Sequence, residues 1–87
     1  MTPKYEVQTR VWAGRKKTPD TVIVRLHDPT LLPLLRQVVQ ELALGEPLIF
    51  RRGNDYNEYA VDCPEIAPTV AQYIGWRLTE LTEAENQ

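Results

Sequence analysis

The sequence predicts an α+β domain, a two-layer ββαββα arrangement with a four-stranded, mainly antiparallel sheet and both helices on one face. Three observations carry this. Short β-branched runs alternate with longer stretches of helical period. Pro-x-x-x-Pro occurs twice, in "DPTLLP" (28–33) and "CPEIAP" (63–68), each time after a strand-like run and before a helix-like one. Pro29 to Pro64 and Pro33 to Pro68 are both separations of 35 residues. The same shift lays Leu26 on Val61, Leu31 on Ile66, Leu35 on Val70 and Val39 on Ile74. The pattern is a ββα unit written twice, with pseudo-two-fold symmetry.

The elements follow in order. In "KYEVQTRVW" (4–12), Tyr5, Val7, Thr9 and Val11 alternate with Glu6, Gln8, Arg10 and Trp12. That is a strand with one buried side. "AGRKKTPD" reads as a loop, and "TVIVRL" (21–26) as a second strand with Val22, Val24 and Leu26 inward. Asp28 or Thr30 caps the first helix, and its prolines fall in the first turn, where backbone N–H groups lack helical partners. Leu31, Leu34, Leu35, Val38, Val39 and Leu42 form one stripe at about 100° per residue. Gly45 is the expected stop.

"PLIFRR" (47–52) and "YNEYAVD" (56–62) flank "GND", residues that tolerate a left-handed backbone, so a second hairpin is expected. The second helix is expected near 65–82, with Ile66, Val70, Tyr73, Ile74, Arg77, Leu78 and Leu81 along one face. The chain of 87 residues reads as one domain, with ββα halves at 4–44 and 47–82 and a frayed acidic tail at 83–87.

Composition narrows the function. The chain is 43% hydrophobic and 25% charged, ordinary globular material. The net charge of −2 hides an asymmetry. Residues 1–27 hold six Lys/Arg against two acids, and residues 28–87 hold four against ten. The acidic balance argues against general duplex-DNA binding. A lone cysteine suits a reducing compartment. "MTPKYEVQTR" has no apolar signal core, and no apolar run approaches the roughly 20 residues a bilayer needs. A cytoplasmic protein without a membrane partner is expected.

Little catalytic chemistry is available. Cys63 and His27 are the one nucleophile–base combination, and the repeat sets them at equivalent, distant ends of the two halves; Cys63→Ser is therefore expected to leave function intact. One His and one Cys cannot build a zinc site, and Asp55, Glu58 and Asp62 lack calcium-loop spacing. Gly14, Gly45, Gly53 and Gly75 stand alone, so there is no phosphate loop. No enzyme activity, metal or cofactor is expected.

What remains is the sheet face that the helices leave open. Alternation assigns Arg10, Trp12, Ile23, Arg25, Ile49 and Arg51 to it, with Glu6 and Glu58 among them. Trp, Ile and Arg together suit an interface. The leading expectation is a non-enzymatic interaction module, a regulator, inhibitor or accessory subunit binding a partner protein or itself. A single-stranded nucleic acid stacking on the same face is the alternative, and a Cys63 enzyme a remote one. The opposing possibility is structural: the arginines merely pair with Glu6 and Glu58. Trp76 falls roughly 120° off the core direction of its helix and, with Tyr73, makes a second candidate patch. Trp12→Ala with Arg25→Glu is expected to abolish binding while barely changing the melting temperature.

Overall fold

The computed structural model describes residues 4–10, 21–63 and 66–85. Trp12, Val11, the "RKK" cluster, Gly14 and Pro64 lie outside the described residues, as do the last two positions of the tail. Four strands form one antiparallel sheet: β1 (Tyr5–Arg10), β2 (Thr21–Leu26), β3 (Leu48–Arg52) and β4 (Asn57–Asp62). The strand order is β1-β2-β4-β3, so the second strand of each hairpin is central and the first is an edge. Two helices follow the hairpins, α1 (Leu32–Glu41) and α2 (Ala67–Glu85).

One face of the sheet carries the core. Tyr5, Val7 and Thr9 pair with Leu26, Val24 and Val22, which in turn pair with Asn57, Tyr59 and Val61. Against this row pack Leu31, Leu35, Val38 and Val39 from the first helical segment and Ala67, Val70, Ile74 and Leu78 from α2. Helix α2 lies on β1 and β2, and α1 lies beside α2. Helix α2 thus returns over the first hairpin, and both helices contribute to a single core.

The 35-residue spacing fits this geometry. Val24 pairs with Tyr59, the residue 35 positions on. Helices α1 and α2 begin at Leu32 and Ala67, again 35 apart. The correspondence stops at the edge strands, because the connections within the two hairpins differ in length.

Both proline motifs open helices. Asp28 accepts from the Thr30 backbone N–H (2.9 Å) and hydroxyl (2.6 Å), capping a single 3₁₀ turn at Pro29–Leu31 that leads into α1. Pro33 and Pro68 sit in the first turns of α1 and α2, where no helical hydrogen bond is lost.

Several details differ from the sequence expectation. Helix α1 ends at Glu41 and is closed by Ala43, not Gly45: Ala43 has φ 57°, Ala43 N–H donates to Gln40 O, and Leu44 N–H donates to Val39 O. That is a Schellman cap with alanine where glycine is usual. Ile66 is 50% exposed, because it lies in the turn before α2 and the helical phase does not reach it; Ala67 is buried instead. Helix α2 continues through Glu85 where a frayed tail was expected from 83. Asn54 and Asp55 do not take the left-handed backbone expected of the hairpin turn. Gly53 is needed for proximity: its N–H donates to Tyr56 O at 2.8 Å, and a Cβ would stand 2.8 Å from that oxygen.

Candidate functional site

The sheet face away from the helices is built in rows across the strands. The first row is Glu6–Arg25–Glu58–Arg51, alternating in sign across all four strands. Arg25 donates from Nε (3.2 Å) and a terminal nitrogen (3.1 Å) to one Glu58 oxygen, and reaches Glu6 at 3.5 Å. Glu6 also meets His27 at 2.9 Å. His27, Arg25 and the Arg25–Glu6 contacts hold the Glu6 carboxyl below its ordinary pKa. Tyr56 completes the cluster, with the Arg25 guanidinium 4.3 Å and that of Arg51 6.0 Å from its ring centre. Glu58 is only 2% exposed, so Arg25 neutralises a buried carboxylate.

The second row carries no charge: Gln8–Ile23–Ala60–Leu48. Ile23 was expected to be exposed here, and that is corrected, since it is fully buried. The Arg10 guanidinium sits 5.3 Å from the Phe50 ring centre, although their edge strands are separated by β2 and β4. At roughly 4.8 Å per strand, these side chains meet only by lying across the middle of the face, over the Ile23 row.

Phe50 and Ile49 exchange their expected sides. Strict alternation assigns Ile49 outward and Phe50 inward, but a bulge falls between Ile49 and Arg51. Ile49 pairs with Tyr59, a helix-side residue, while Phe50 joins the open face. An extra residue in one strand reverses the facing of its neighbours and leaves no mark on the hydrophobic pattern. Phe50 was missed for that reason.

Strand β3 is the most exposed element. None of its residues is buried, and Leu48, Ile49 and Phe50 are 69%, 44% and 37% exposed. No described strand pairs with its outer edge. On the helix side, a groove of about 370 Å³ runs between α1 and β3, floored by Leu32, Pro47, Ile49 and Tyr59 and flanked by Arg36 and Arg52.

The other candidates lie elsewhere. Trp76 is 57% exposed on α2, edge-on to Tyr73 with ring centres 5.6 Å apart. Tyr73 and Arg77 both donate to Glu41 of α1, at 2.9 Å each to Oε1, and Arg77 reaches Oε2 at 2.6 Å. Arg77 also contacts Glu80. These donors pull the Glu41 carboxyl down to a pKa of about 2. Tyr73 is thus a helix–helix clamp residue, and Trp76 stands on the far layer from Arg10, Arg25 and Arg51.

Cys63 is buried, its thiol donating to Val61 O at 3.4 Å. Thr21 pairs with Asp62 and Leu26 with Asn57, so Cys63 and His27 lie beyond opposite ends of the β2–β4 pair. Among the described residues no three His, Cys, Asp or Glu side chains cluster as metal ligands. Nor is any described helix long and apolar enough to cross a membrane.

The role expected of Arg25 changes. Arg25→Glu would set three carboxylates together, one of them buried, so that substitution disturbs folding before it reports on binding. Comparison with family models, curated proteins and solved structures finds no match to this chain.

Proposed function

We propose that this chain is a non-enzymatic interaction module that binds a partner protein through edge strand β3 and the open face beside it. One observation carries the reading: Leu48, Ile49 and Phe50 are three consecutive large apolar residues, all exposed, on a strand whose outer edge pairs with no described strand. Such an edge is a ready template for another chain, and proteins that do not use one usually blunt it. Here the blunting is partial, a bulge and two arginines. Main-chain pairing along β3 would supply affinity, and the side chains on its two faces specificity.

The nucleic-acid alternative has less support. Arg25 is committed to two carboxylates and Arg10 to Phe50. Glu6, Glu58 and Asp62 share the face, which would repel phosphates.

The test is a selection of random linear peptides displayed on phage, run against the wild type and against Leu48→Glu/Ile49→Glu. Both positions are exposed, so the variant is expected to fold. The wild type should enrich a family of peptides that the variant fails to enrich. No enrichment by the wild type, or the same peptides with both proteins, would overturn the proposal.

A further inference from the structure

We infer that the partner segment is an extended, acidic one, whose carboxylates reach Arg36 and Arg52 while an apolar side chain between them sits over Ile49. The inference rests on the proposed use of β3 and concerns who the partner is.

Two observations support it. The first is how the arginines are employed. Arg25 and Arg77 are bound to carboxylates, and Arg10 and Arg51 lie over aromatic rings. Arg36 and Arg52 have neither kind of partner among the described residues, and both line the groove between α1 and β3. In a chain of net charge −2 with acids to spare, two neighbouring guanidinium groups without a counter-charge stand out. Arginine suits planar, two-point recognition of carboxylates.

The second observation is the geometry of the groove. It lies on the helix side of β3, at about 370 Å³, and meets a second depression of about 270 Å³ at Arg36 and Pro47. A strand added to the outer edge of β3 would turn every second side chain toward the helix side. Those side chains would enter this groove, with apolar material below (Leu32, Ile49, Tyr59) and cations beside it. Glu46 lines the far depression and disfavours acids at that end. The fitting segment therefore alternates, with Asp or Glu at positions flanking one apolar residue on the same face.

The experiment repeats the peptide selection with Arg36→Glu/Arg52→Glu, after circular dichroism shows the variant folded. Both residues are exposed. The wild type should enrich peptides with acids at alternate positions, and the charge-reversed protein should enrich Lys or Arg there. A peptide selected by the wild type should bind the variant roughly a hundredfold more weakly, from two charge-assisted contacts of about tenfold or more each. Identical peptides from both proteins would overturn this inference while leaving binding at β3 standing. No enrichment by the wild type would overturn both. A wild type that enriches nothing but sediments as a dimer, dissociated by Ile49→Glu, would mean that a second copy occupies the edge, and the acidic-peptide inference would fall.

Discussion

Ala43 holds a φ of 57°, a conformation that a Cβ makes costly by about 1–2 kcal/mol. Glycine removes that cost but adds freedom to the unfolded chain, which offsets part of the gain. Ala43→Gly should stabilise the domain by about 0.5–1 kcal/mol, or roughly 2–8 °C in a thermal melt. An unchanged or lower Tm would contradict the cap geometry. Ile23 tests the other side of the sheet. Were it exposed as alternation suggests, Ile23→Ala would be nearly silent; fully buried, it should cost about 2–5 kcal/mol in denaturant unfolding. Arg25 and Glu58 give a paired prediction. Arg25→Glu should lower Tm sharply, whereas Arg25→Met with Glu58→Leu should recover most of the loss, because an apolar pair leaves no buried charge behind. A double variant no better than the single one would show that the pair itself, and not the stranded carboxylate, matters.

At the scale of elements, the two helices are joined by one carboxylate. Glu41 at the end of α1 receives Arg77 and Tyr73 from α2, and its pKa falls from an ordinary 4.5 to about 2. A depressed carboxylate pKa means the folded state prefers the charged form. Its contribution is complete above the ordinary value and is lost as pH falls through about 2. Wild-type stability should therefore decline across that acid window, and Glu41→Gln should flatten part of the slope measured by denaturant titrations at successive pH values. Equal slopes would mean that the clamp does not persist in solution. Helices and strands were legible because their signals are periodic: "TVIVRL" is β2 residue for residue, and the core stripe of α1 is the one its leucines and valines predict. The exceptions have local causes. A bulge at Phe50 reverses side-chain facing with no compositional sign, and an alanine took the left-handed position where a glycine two residues later was the visible signal.

At the scale of the whole molecule, the central strands and the helix starts are consistent with the repeat. Val24 against Tyr59, and Leu32 against Ala67, keep the 35-residue offset. Strand order was not legible, since alternation says which side a residue faces and nothing about which strand lies next. The site was half legible for a related reason. Arg10, Arg25 and Arg51 do share the open face, but their cross-strand partners come from register: Glu58 lies directly opposite Arg25, and Phe50 comes beneath Arg10 from the far edge. That Arg36 and Arg52 lack partners among the described residues left no mark in the sequence, because absence of a partner is visible only in three dimensions.

The central claim, that β3 is the working edge, is tested most directly by titrating a wild-type-selected peptide into isotope-labelled protein and following the backbone amide shifts. Changes should concentrate in Leu48–Arg52 and in the facing turn of α1 around Leu32 and Arg36. Shifts centred on Tyr73 and Trp76, with β3 unmoved, would contradict it.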